Sequence, residues 1–177
     1  MDWPEILSKW LPILASVSLV IFVAKQLGLM RGNTAVDLIL RCEDRFNSPQ
    51  LRKAREATAR ACLEVLKREG EQNLNESKFS THDQTIFLTI LDFFESLGLL
   101  VRKAHIKTEM VWSLFGDWIE KYYSMFHEDL CEKRKKDSSL YVNLLWLVGE
   151  IEAINRKMGI STTDQDRLEF FELEANM

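Results

Sequence analysis

Proline is almost missing from this chain: Pro4, Pro12 and Pro49 are the only three, so nothing of that kind interrupts the sequence beyond Pro49. The seven glycines are scattered singly, which leaves long uninterrupted helices possible. Cysteine is scarce as well. Cys42, Cys62 and Cys131 are odd in number and lack paired spacing, a pattern that suits a reducing compartment better than a disulfide framework. Gly98 and Gly116 stand alone, so there is no glycine-rich loop to cradle a phosphate. No stretch shows the strict apolar–polar alternation of a half-buried strand, and no internal repeat is present. The formal net charge of −4 offers no global attraction to nucleic acid, which is therefore disfavoured as a partner. No catalytic or cofactor motif stands out, and no cofactor is expected.

What is present begins with a long apolar run, Trp10 to Met30, in which Lys25 carries the one charge. As a helix it would be roughly 31 Å long, against a hydrocarbon core of about 30 Å. Its Leu, Ile, Val and Phe side chains would favour insertion by roughly 3 to 6 kcal/mol in total. Lys25 lies near one end and could snorkel to the headgroups. Trp3 and Trp10 fall where an interfacial aromatic belt would sit, and Pro12 is tolerated in a first turn. A buried core helix is the competing reading, and the length favours a span. Lys25, Arg31, Arg41 and Arg45 lie at or beyond the far end, against Lys9 before the run. The positive-inside rule then places the N-terminus outside and the rest in the cytoplasm. Asp2 and Glu5, and the lack of a small-residue cleavage site, argue that the run is retained.

Beyond it the pattern is helical throughout. Thr34 to Phe46 forms a connecting helix, and Asn47-Ser48-Pro49 is a boundary at which Ser48 caps and Pro49 opens the next helix. That helix, to about Glu69, carries a stripe of small residues on one face. Arg52, Lys53, Arg55 and Arg60 lie on the opposite face, with Glu56 placed to pair with Arg60. Gly70 to Lys78 reads as a loop. Thr81 to Lys103 is apolar on most sides, hence central, and Gly98 in it marks a tight packing contact or a bend. Thr108 should cap a helix with Val111, Phe115, Trp118, Ile119, Tyr122 and Phe126 at helical spacing. The charged segment Glu128 to Asp137 would separate it from the last long helix, which Gly159 ends. The acidic tail from Asp164 would add a short amphipathic turn through Leu168, Phe170 and Phe171. The expected fold is therefore all-α: an N-terminal transmembrane helix in segment 1–31, a connecting helix and boundary at 32–48, a bundle of four to five helices at 49–159, and an acidic tail at 160–177.

The stretch from Phe93 through Glu95, Gly98 and Arg102 to Lys103, followed by Met110-Val111-Trp112-Ser113-Leu114-Phe115-Gly116-Asp117-Trp118-Ile119, resembles an uncharacterised bacterial domain-of-unknown-function family. The similarity extends from about Arg45 to Arg156. The resemblance implies small proteins with one N-terminal membrane helix and a cytoplasmic helical domain. It brings no known reaction and no catalytic residue. Phe94, Gly98, Gly116, Asp117 and Trp118 are the positions that carry the motif.

Three constellations remain. His127 and Cys131 share a helical face, but two ligands do not close a zinc site, and His82 and His105 have no ligand-spaced partners, so no metal is expected. Asp92, Glu95, Asp117 and Glu120 could converge for acid–base work, yet such groups more often pair with basic residues or helix N-termini. Gly116-Asp117-Trp118 reads as a close helix crossing with Asp117 as its hydrogen-bond anchor. Arg52, Lys53, Arg55 and Arg60 could meet anionic headgroups or a small anion, although a solvated face is the simpler reading. Together with the resemblance, the sequence thus points to a membrane-tethered, non-catalytic helical interaction module at the bacterial inner membrane, single-pass, with its helical domain in the cytoplasm. Its expected partners are the lipid bilayer and either another protein or a second copy. The alternative is a ligand-gated membrane effector sensing a nucleotide-like anion; an enzyme using buried carboxylates comes third.

Overall fold

The structure, a computed structural model, describes residues 21–26, 32–69 and 81–176. The chain divides into two units, Met1–Asp37 and Leu38–Met177. In the first, residues 21–26 and 32–37 are helical, and Ile21, Phe22 and Val23 are exposed. The second holds six helices among the described residues: α1 over residues 38–46, α2 Pro49–Glu69, α3 Thr81–Arg102, α4 Thr108–Lys136, α5 Val142–Met158 and α6 Asp164–Ala175. No strand occurs among the described residues.

Among the described residues no helix is long and apolar enough to cross a membrane. This finding corrects the expected transmembrane fold class and single-pass architecture, and with them the inner-membrane location. The physical reason lies in how the described helices spend their apolar surface. α3, the most apolar of the long helices, buries Phe87, Ile90, Leu91, Phe93, Phe94, Leu97 and Val101 inside the unit while carrying Asp92, Glu95 and Arg102 along its length. Residues 21–26, the described part of the apolar run, amount to about 9 Å of helix. Lys25 is exposed there, and the expected interface residues Trp3, Trp10 and Arg31 lie outside the described residues.

Local chemistry sets the boundaries of the second unit. Ser48 Oγ accepts the Leu51 amide at 3.4 Å, and Pro49 occupies the first position of α2, where no donor is needed. α4 runs straight through the charged segment expected to break it. Leu130 within that segment is buried, and Lys133 to Lys136 fill the last turn, where cations favour the helix dipole. The acidic tail is a full helix, α6, opened by a reciprocal capping box between Thr163 and Asp166.

α3 packs chiefly on α5 and α2, α4 on α5, and α2 on α6 as well. Phe46, at the end of α1, is the meeting point of the core. Its ring lies 5.1 Å from Phe93, 5.9 Å from Phe94, 5.3 Å from Phe115 and 5.5 Å from Trp118. These tilted and edge-on arrangements are the ones aromatic quadrupoles prefer.

The α3–α5 crossing is held by a side-chain cap. Tyr141, just before α5, sits in the left-handed region (φ 51°) and provides no capping bond of its own. Glu95 supplies one from α3. Its carboxylate accepts the Asn143 amide at 3.2 Å, the Asn143 side-chain amide at 2.7 Å and the Leu144 amide at 2.7 Å. An anion at a helix N-terminus satisfies orphan donors and the helix dipole together. The Tyr141 hydroxyl donates to Asp92 at 3.0 Å, one turn earlier on α3. Gly98 lies one turn after Glu95, and a Cβ there would fall 2.4 Å from the Asn143 carbonyl oxygen. Two backbones meet at that point, so neither can yield.

Gly98→Ala should therefore destabilise the protein by about 1–3 kcal/mol despite alanine's better helix propensity. Gly149→Ala, on the exposed side of α5 with nothing within 4 Å of the new Cβ, should stabilise by about 0.5–1 kcal/mol. Urea denaturation of the two variants separates these outcomes.

Candidate functional site

A cleft of about 290 Å³ lies beside α4. It is lined by Trp112, Ser113, Leu114, Gly116, Asp117 and Trp118 of α4, by Asn155 of α5, and by Ile160 just after Gly159. Gly116 makes room for the Trp112 indole, whose Cδ1 would lie 3.2 Å from a Cβ at that position. Asn155 fixes the ring. The Trp112 indole N–H donates to Asn155 Oδ1 at 2.7 Å, and the Asn155 side-chain amide donates to Glu120 at 2.7 Å. The far side belongs to Trp118, whose indole N–H donates to Glu174 Oε1 at 3.0 Å. Both indole donors are thus spent inside the protein, and both tryptophans line the cleft. Ile160 is 48% exposed beside them.

Behind Trp118 lies a buried ion pair. Arg55 on α2 is 3% exposed, and its guanidinium lies 4.1 Å over the Phe46 ring and 3.6 Å from Glu174 Oε1 of α6. Burial lowers the Arg55 pKa, and the Glu174 carboxylate pushes it back up. The Tyr122 hydroxyl donates at 3.4 Å to Glu174 Oε2 and lies 3.4 Å from the Arg55 carbonyl oxygen. Burial, and then the adjacent carboxylate, raise its phenol well above the ordinary value.

The sequence-derived candidates are distributed rather than gathered. Arg52 and Lys53 are exposed, whereas Arg55 is in the core and not on a solvated basic face. Arg60 pairs with Glu56 and donates from Nε to the Ala175 carbonyl at 3.3 Å. Phe94 is buried, 6.3 Å from the Tyr122 ring, and Gly98 is at the α3–α5 crossing. Gly116, Asp117 and Trp118 all line the cleft. The Asp117 side chain is 74% exposed and pairs with Lys121 at 3.3 Å, one turn along its own helix. Anchoring between helices is done instead by Trp118 and Asn155. The four carboxylates weighed for acid–base work each have a partner. Asp92 accepts from Tyr141, Glu95 caps α5, Asp117 pairs with Lys121, and Glu120 accepts from Asn155. His127 and Cys131 approach to 3.5 Å. Among the described residues no group of three or more His, Cys, Asp or Glu could hold a metal ion.

Trp112, Asn155, Ile160 and the Arg55–Glu174 pair were not singled out by the sequence. Spacing held a usable signal for two of them. Arg55 follows Leu51 by four and precedes Thr58 by three, and Asn155 follows Ile151 by four, so each is a polar residue on an apolar stripe.

The chain belongs to the family of the domain of unknown function DUF4760, whose model matches residues 16–151. The match begins well before Arg45, where the resemblance was expected to start. No match is found among curated proteins or among solved structures.

Glu174→Gln should cost about 3–5 kcal/mol in thermal or urea denaturation, because it strands a buried guanidinium. Tyr122 should impose an alkaline limit. A phenol whose pKa is raised in the folded state contributes fully below the ordinary value of about 10, and its contribution is lost as the pH rises beyond that value. Urea midpoints measured from pH 8 to 11 should fall at the alkaline end, and Tyr122→Phe should flatten that decline.

Proposed function

We propose that this domain is a non-catalytic helical interaction module that receives an apolar side chain of a protein partner between Trp112 and Trp118. The observation that carries the reading is the cleft itself. Its volume stands at the lower end of small-molecule sites, about 300–1,000 Å³, which suits one or two inserted side chains better than a cofactor. Indole rings with spent N–H groups offer flat apolar area without demanding a hydrogen bond, and tryptophan is the residue type most enriched at binding hot spots. The exposed Asp117 carboxylate at the rim adds a preference for a basic residue beside the inserted one. The engagement of Asp92, Glu95, Asp117 and Glu120 in structural bonds supports a binding role over acid–base chemistry.

A photoreactive side chain placed at Ser113, exposed on the cleft rim, should give a discrete crosslinked species in cells. Ile160→Asp should abolish it while leaving the melting temperature within a few degrees, since Ile160 is half exposed. The same probe at Glu150, exposed and outside the cleft, should give none. Equal crosslinking at both positions, or persistence in Ile160→Asp, would remove the reading.

A further inference from the structure

α4 carries a second group of chemically active side chains. Tyr123, His127 and Cys131 follow one another at intervals of four, so they share one face of the helix. Cys131 lies about 20 Å along the axis from Trp118, which separates this group from the tryptophan cleft. The three cysteines have different surroundings. Cys62 is buried in the core, Cys42 is half-buried with its thiol pushed up by that burial, and Cys131 is exposed. An exposed thiol contributes little to packing. The Cys131 sulfur instead lies 3.5 Å from His127 Nε2, within reach of an S–H···N bond when the imidazole proton sits on Nδ1. The Tyr123 ring meets the His127 ring edge-on, with centroids 5.3 Å apart. Burial first, then Cys131 and Glu152 of α5, raise the Tyr123 phenol against the opposing charge of Arg134, so thiol, imidazole and phenol form one cluster. Glu128, Glu132 and Lys135 are the exposed charges around Cys131 on its own helix. A nucleophile, a base within hydrogen-bond reach and a third group that orients the base are the parts of an activated thiol.

We propose that Cys131 is a site of reversible S-thiolation, with His127 as its base and a low-molecular-weight disulfide as its substrate. His127 Nε2 takes the thiol proton as the Cys131 sulfur attacks one sulfur of the disulfide. The new S–S bond forms as the old one breaks. The departing half carries away the electron pair as a thiolate and recovers the proton from the His127 imidazolium. The disulfide is the oxidant and Cys131 is the group oxidised, so the step needs no further electron acceptor, and excess free thiol runs it backwards.

Oxidised glutathione added to the parent chain at neutral pH tests the site on the native protein. The intact mass should rise by one glutathionyl group, peptide mapping should place that group on Cys131, and dithiothreitol should remove it. Native Cys131 should react about tenfold faster than the same thiol in the urea-unfolded chain, where His127 is no longer held beside it. His127→Gln should lose that advantage while its melting temperature stays within a few degrees of the parent, since the ring is exposed. Three results would each overturn the proposal: an adduct appearing first on Cys42 or Cys62, native and unfolded Cys131 reacting at one rate, or His127→Gln reacting as fast as the parent. The absence of any adduct on the native chain would do the same.

Discussion

A guanidinium cannot be moved out of water without compensation, and the second unit is arranged around that requirement at Arg55. α1 supplies the Phe46 ring beneath the cation, α6 supplies the Glu174 carboxylate, and α4 supplies the Trp118 and Tyr122 donors that hold that carboxylate in place. Four helices are thereby tied to one charge. Such a cluster adds little net stability over a well-packed apolar alternative. It does penalise every arrangement in which one of the four elements is elsewhere. The acidic last helix is consequently part of the bundle and not an appendage to it.

How much of this was legible depended on where the information resides. The all-helical character, the boundary at Ser48-Pro49, the apolar face of α3 and the stop at Gly159 follow from periodicity and capping, which are local properties. Glu95 was visible as a carboxylate on an apolar helix. That it caps α5 was not visible, because the Leu144 amide it accepts lies 49 positions away. Arg55 was assigned to a basic face because its neighbours Arg52 and Lys53 are exposed, and the stripe from Leu51 to Thr58 that contains it was outweighed by composition. The expected span illustrates the opposite error. Apolar content over a window measures transfer free energy, and the described part of that run, residues 21–26, comes to about 9 Å of helix.

The tryptophan cleft and the charge cluster share a wall. Trp118 lines the cleft, lies edge-on to Phe46 at 5.5 Å, and reaches Glu174 through its N–H. Asn155 and Ile160, on the other wall, belong to the exit from α5, where the Ile160 amide donates to the Asn155 carbonyl at 3.0 Å. The residues that shape the concavity are therefore also those that position α6. Asp117, between Trp112 and Trp118 in sequence, is exposed and pairs with the largely buried Lys121, so the cleft carries a carboxylate at its edge.

The Glu95 cap bears on the order in which the chain can assemble. A helix of 17 residues whose N-terminal donors are unmet is marginal by itself, because nucleation is costly and propagation must repay it. α5 obtains its cap only after the chain between Glu95 and Asn143, α4 included, has closed into a loop, an entropic cost met before any reward. Local helix formation and long-range docking are thus one event at this junction. The α3–α5 crossing therefore depends on a loop closure that helix propensity within either segment cannot supply.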